Sequence, residues 1–106
     1  MSFYVVNINR LREPWYQLSK DERDAAVADT LAKLQAVRGD YQSTVLSLKG
    51  LSYGTDDIWV GRFETMDELR DSQMVFKTET ARYVDTQSFM GLEEGYWAAR
   101  RKELGI

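Results

Sequence analysis

The chain has 106 residues, a formal net charge of −3, and neither histidine nor cysteine. Those two missing residue types exclude a His-based triad, a cysteine nucleophile, the common zinc sites and His- or Cys-ligated haem. With 43% hydrophobic and 29% charged residues, the composition is that of one globular domain spanning 1–106, able to bury roughly two-thirds of the surface its unfolded form exposes.

The longest apolar runs are too short to cross a bilayer, so no membrane partner is expected. Lys and Arg are scattered except for "ARRK" at 99–102, and the pI is about 4.9, so no nucleic acid partner is expected either. The start, "SFYVVNI", has no basic region followed by an extended apolar segment and a cleavage site. Together with the lack of cysteine, that predicts a cytoplasmic location.

Phe3 to Asn9, "FYVVNIN", is short, β-branched and aromatic, and reads as a strand. Its two faces differ. Tyr4, Val6 and Ile8 form an apolar row expected to lie under a helix. Phe3, Val5, Asn7 and Asn9 begin apolar and turn polar, as expected of an open face that meets something wetter.

Directly behind the only proline, Pro14, come two adjacent rings, Trp15 and Tyr16. The pair reads either as a lid over a pocket or as a wedge sealing the end of a core. Pro14 fixes its own φ and biases Glu13 towards extended geometry, which favours an anchor. Trp15 is therefore expected to be mostly buried between the first strand and first helix, with Tyr16 more exposed at a pocket rim.

Ser19 and Glu22 match a capping box and start a helix expected over about Lys20–Arg38, with Gly39 placed for a left-handed C-terminal cap. Tyr41 to Leu48 reads as a second strand. The loop "GLSYGTDD" joins it by a hairpin to a third strand, Ile58 to Phe63, whose faces are Ile58, Val60, Arg62 and Trp59, Gly61, Phe63. Thr65 and Glu68 offer another capping box, opening a helix that runs to about Thr80 or ends earlier. Tyr83 to Met90 is the fourth strand, and after Gly91 a short terminal helix is expected, docked by Tyr96 and Trp97. The order βαββαβ predicts an α+β, ferredoxin-like fold, a four-stranded antiparallel sheet with helices on one face.

Three segments carry a resemblance: "PWYQLSKDER", "IWVGRFETMDELRD" and "MGLEEGY". In these the chain resembles the small dimeric α/β-barrel proteins, in particular the darcynin-like group. The resemblance implies a homodimer in which two sheets pack face to face. Members of that superfamily include cofactor-independent monooxygenases, haem-degrading enzymes and chlorite dismutase-like haem proteins. The haem proteins rely on an axial His that this chain lacks. The quinone-forming monooxygenases present an Asn and a Trp four residues apart on the third strand, where this chain has Trp59 and Phe63, so their substrate-polarising amide is missing.

The residues most suited to a ligand are Asn7, Asn9, Trp59 and Phe63, with Tyr16 at the rim. Amides and an indole on an apolar wall suit a flat aromatic or polyketide-type molecule. The same residues equally suit the filled core of a dimer interface, since Phe3, Val5, Trp59 and Phe63 on an open sheet face would need a cover. Asp56-Asp57 reads as a solvated turn cap. No metal site, cofactor or catalytic residue is identified, so oxygenation here would depend on electrons supplied by the substrate. Two functions follow: a small-molecule-binding or cofactor-independent oxygenase-like protein, or a non-catalytic dimeric scaffold whose barrel is filled by side chains. An empty, polar-lined cavity separates the first from the second.

Overall fold

The computed structural model describes residues 2–51 and 54–106, with the side chains of residues 94, 96 and 97 outside the description. The tip of the hairpin at Ser52 and Tyr53, and the docking role of Tyr96 and Trp97, therefore lie outside the described residues. The elements run β1 (Phe3–Leu11), α1 (Glu13–Tyr16), α2 (Lys20–Val37), β2 (Val45–Lys49), β3 (Asp57–Phe63), α3 (Met66–Thr80), β4 (Val84–Leu92) and α4 (Glu94–Leu104). Four strands form one antiparallel sheet in the order β2-β3-β1-β4, the ferredoxin-like arrangement.

The register decides which residues share a face. Val5 pairs with Gly61 and Met90, and Asn7 pairs with Trp59 and Ser88, so these side chains project together. They project towards α2 and α3: Phe76 of α3 meets the Trp59 ring at 5.0 Å, and Gln73 of α3 reaches Asn7 at 2.8 Å. Val5, Leu34, Tyr41, Phe63, Leu69 and Phe76 form the buried core. The faces are thus the reverse of the sequence expectation. Tyr4, Val6 and Ile8, with Ile58, Val60, Leu46, Leu48 and Phe89 alongside them in register, form the sheet face that the helices leave open. Burial of Asn7 and Asn9, both 2% exposed, costs little because their amides are paired inside.

Local chemistry sets the element ends. At α2 the full capping box forms, with Glu22 N–H donating to the Ser19 hydroxyl at 3.1 Å and Ser19 N–H donating to the Glu22 carboxylate at 3.0 Å. Its C-terminal cap is Arg38, extended at φ −141, and Gly39 does not adopt the expected left-handed conformation. Arg38 instead turns its guanidinium over Phe63 at 5.1 Å and donates to the Arg62 carbonyl at 2.5 Å. Residues Tyr41–Thr44 form a 3₁₀ turn where strand was expected. The Ser43 and Thr44 hydroxyls bond back to the carbonyls of Asp40 and Tyr41, an alternative to the strand ladder that short hydroxyl side chains favour. Burial also pushes the Tyr41 phenol up to about 12. For α3 only half the box forms, Glu68 N–H to the Thr65 hydroxyl at 3.2 Å, because the Glu68 carboxylate lies 3.7 Å from Arg38.

Gly61 is required by close packing. A Cβ there would sit 2.9 Å from the Phe63 ring and 3.3 Å from Val5. Truncating Phe63 to Ala is expected to cost about 3–5 kcal/mol in chemical denaturation, and Gly61→Ala about 1–3 kcal/mol from overpacking. Values within about 0.5 kcal/mol of wild type for both would mean that this face is not the helix-covered one.

Candidate functional site

A cavity of about 290 Å³ opens between the helix layer and the C-terminal half of β1. Asn9 and Leu11 of β1, Asp57 and Trp59 of β3, and Val84 of β4 line it from the sheet side. Ala26, Val27, Asp29 and Thr30 line it from α2, and Phe76, Glu79 and Thr80 from α3; Trp15 and Tyr83 complete the wall. The sheet alternation explains why Asp57, Trp59 and Asn9 meet there: Asn9 and Asp57 are direct partners in the β1–β3 register, and Trp59 is two residues further along the same face.

Aromatic rings dominate the walls. Trp15 meets Tyr83 edge to face at 5.6 Å, and Trp59 meets Phe76 at 5.0 Å, both within the range of favourable aromatic pairs. Trp15 is held from outside by Arg23, whose guanidinium lies 5.8 Å from the indole centroid and donates to the Trp15 and Tyr16 carbonyls at 3.1 Å. Arg12 N–H, just before this turn, donates to the Tyr83 carbonyl at 2.7 Å. The short helix α1 thereby carries the Trp15 ring to the cavity mouth.

Polar groups sit at the sheet end. Asn9 donates to Asp57 at 2.6 Å and accepts from the Thr86 hydroxyl at 2.8 Å. Desolvation raises the Asp57 carboxyl above its ordinary value of 3.8; the Asn9 hydrogen bond pulls the other way, and the neighbouring Asp56 charge adds to the rise. On the helix side Lys33 bridges Asp29 and Glu79, each at 3.0 Å. These two hydrogen-bonded carboxylates raise the Lys33 ammonium above its usual range. Among the described residues no group of three His, Cys, Asp or Glu side chains is placed to hold a metal ion, and no helix is long and apolar enough to cross a membrane.

Of the residues singled out from sequence, Asn9 and Trp59 lie together in this cavity. Asn7 is one residue pair away, in a closed network: it donates to Gln73 at 2.8 Å, and its carbonyl accepts from Gln73 at 3.0 Å and from Ser88 at 2.8 Å. Phe63 is in the core, tilted against Tyr41 at 6.4 Å. Tyr16 is 53% exposed and faces a separate surface depression with Arg10, Arg12 and Asp85. Trp15 is half-buried and belongs to the cavity wall, against Tyr83 and with Arg23 over its ring.

Asp57 is the functional candidate that sequence reading set aside as a solvated turn acid. Only its neighbour behaves that way: the Asp56 carboxylate accepts from Leu11 N–H at 2.6 Å at the strand end. The signal was available in the parity, since Asp57 shares the face of Trp59.

No protein-family model and no curated protein matches the chain. Solved structures do. A double mutant of chlorite dismutase from Candidatus Nitrospira defluvii matches with a TM-score of 0.68 at 16% identity, over 85% of this chain and 39% of that one. A second mutant of the same enzyme matches with a TM-score of 0.59 at 16% identity, over 99% of this chain and 48% of that one. A dimeric ferredoxin-like protein of unknown function from Thermobifida fusca matches with a TM-score of 0.59 at 17% identity, over 88% of this chain and 92% of that one. The chain spans less than half the length of these chlorite dismutases and nearly the whole of the dimeric protein. At such identities the likeness establishes the ferredoxin-like fold.

The raised Asp57 carboxyl has a sign that can be measured. The folded state holds this proton more tightly than the unfolded state, so ionising Asp57 costs stability as pH rises through its folded value. Asp57→Asn keeps an oxygen for the Asn9 donor and removes the charge. The variant is expected to unfold at higher denaturant than wild type at pH 7, with the difference disappearing below the ordinary value of 3.8. A less stable variant at pH 7 would show that the ionised carboxylate is stabilising where it sits.

Proposed function

We propose that this domain binds a flat aromatic small molecule in the cavity between the helix layer and the sheet. One observation carries the reading: an open space walled by Trp15, Trp59, Phe76 and Tyr83, with the hydrogen-bonded Asn9–Asp57 pair at one end. Rings stack the ligand, and the amide and carboxylate orient a polar substituent. At about 290 Å³ the space lies at the small end of the ~300–1,000 Å³ typical of ligand pockets. The open cavity weighs against a scaffold whose interior is filled by side chains.

Cofactor-independent oxygenation of an aromatic or polyketide-type substrate is the more specific form of this reading, and the site's charge opposes it. Such chemistry passes through a phenolate or enolate. The walls carry Asp29, Asp57 and Glu79; Lys33 bridges Asp29 and Glu79, whereas Asp57 has no ion pair among the described residues, so an anion formed beside Asp57 meets repulsion. Binding is the function the geometry supports best. The darcynin-like resemblance is carried by the sequence segments alone, while the fold supports the broader superfamily.

The open sheet face supports a homodimer. Leu46 and Phe89 are each 58% exposed and Leu48 is 43% exposed, beside Val6, Ile8, Ile58 and Val60 in register. A contiguous apolar sheet face of this kind calls for a cover, and the neighbour from Thermobifida fusca is itself described as dimeric. Light scattering at micromolar concentration is expected to give about twice the 12.3 kDa chain mass, and Val60→Lys to reduce it to the single-chain value without unfolding. A wild-type mass near 12.3 kDa would overturn the dimer.

For the ligand site, 2-naphthol is a suitable neutral flat probe. Calorimetric titration is expected to show saturable binding that Trp59→Leu weakens several-fold, up to about tenfold, the range of one aromatic pair. No binding, or binding indifferent to Trp59→Leu in a folded variant, would overturn the cavity reading. Oxygen uptake above the protein-free rate in the same mixture would favour the oxygenase form instead.

A further inference from the structure

The cavity that accepts an aromatic body also has a definite electrostatic preference. Of its aromatic rings, Trp15 and Tyr83 already carry Arg23 and Arg82 at 5.8 and 5.7 Å, while Trp59 and Phe76 present ring quadrupoles that attract a cation placed over them. Asp57 stands among them, half-buried, and among the described residues its side chain accepts from the neutral amide of Asn9 at 2.6 Å. Among the described residues no Lys or Arg lies within ion-pair distance of it. A partly desolvated carboxylate without a cation is costly, and the cost is recovered when a positive ligand arrives. Asp29 and Glu79, tied to one Lys33, leave the opposite wall with a further net negative charge.

Rings and carboxylate together fit one ligand chemistry. The carboxylates come from α2, β3 and α3 and do not gather at a metal-sized point, so the space between them suits an extended organic cation. Aromatic walls would be poor ligands for a hard metal ion and good ones for an alkylammonium. Resting on the reading of this cavity as the binding site, we infer that its ligand is an organic ammonium with an aromatic body, the ring stacked on Trp59 and the ammonium paired with Asp57.

Three matched probes test this in calorimetric titrations at pH 7: 2-phenylethylamine, which is cationic, 2-phenylethanol, which is neutral, and 3-phenylpropanoate, which is anionic. The amine is expected to bind about tenfold or more tightly than the alcohol, and the carboxylate not measurably. Asp57→Asn, which conserves shape and the Asn9 hydrogen bond, is expected to remove the preference, bringing the amine down to the level of the alcohol. A thermal melt of the variant confirms that it is folded. Equal or weaker binding of the amine overturns the inference while leaving the cavity reading intact. So does an amine preference that survives Asp57→Asn, because the charge would then be read elsewhere. Silence from all three probes also overturns it, and 2-naphthol then decides independently whether the cavity binds aromatics at all.

Discussion

Everything in this fold depends on where the two amides of β1 find their partners. A strand reading Tyr4, Val6, Ile8 on one face and Val5, Asn7, Asn9 on the other is expected to bury the first row. The second row is buried because each amide is satisfied: Asn7 by Gln73 and Ser88, Asn9 by Asp57 and Thr86. Leaving either group unpaired in that position would cost about 1–3 kcal/mol. With the pairing made, the amides add direction instead of penalty, since Gln73 fixes α3 over the centre of the sheet. The price is paid on the far side, where a nearly continuous apolar row is left without helices.

From that orientation the rest follows in sequence along β1. Near its start, Val5 meets Gly61 and Phe63 and the packing is dense enough that a single added methyl would clash. Near its end, the large rings of Trp15, Trp59, Phe76 and Tyr83 surround space instead of filling it. Asp57 sits at this end, where its charge is partly desolvated. A carboxylate held above its ordinary pKa is a stability cost borne by the folded chain, and such costs are typical of positions kept for binding. The Asp29, Lys33 and Glu79 bridge links α2 to α3 beside the same cavity.

Much of this was legible from residue order. The Ser19 and Glu22 box, the run from Thr65 to Thr80, and the strand signals at Phe3 and Ile58 are local features, and local features fixed the elements and their ferredoxin-like order. Two kinds of information were not local. The choice of buried face depended on Gln73 and Ser88, which lie far along the chain from Asn7, so periodicity favoured the more hydrophobic row and chose the wrong one. The site was half visible: Asn9 and Trp59 were singled out, while Asn7 and Phe63 shared their face but lie where the helices close down on the sheet. Asp57 was hidden by its neighbour, because two consecutive acids before a strand read as solvent-facing, whereas alternation sends one out and the other in. At Tyr41–Thr44, hydroxyl side chains bonding to nearby carbonyls replaced a strand start with a 3₁₀ turn, a competition that β-propensity does not register.

The central claim is that ligand binding occurs between the helices and the amide-bearing face of the sheet. Side-chain amide and indole resonances report this directly, because Asn9, Trp15 and Trp59 line the cavity while Asn7 is bonded to Gln73 and Ser88 beside it. In a ¹H–¹⁵N titration of the wild-type chain with 2-phenylethylamine, the Trp15 and Trp59 indoles and the Asn9 amide are predicted to shift saturably together, with Asn7 little changed inside its closed network. Shifts confined to backbone amides of Val6, Val60 and Phe89 on the opposite face, with those indoles and the Asn9 amide unmoved, would contradict it.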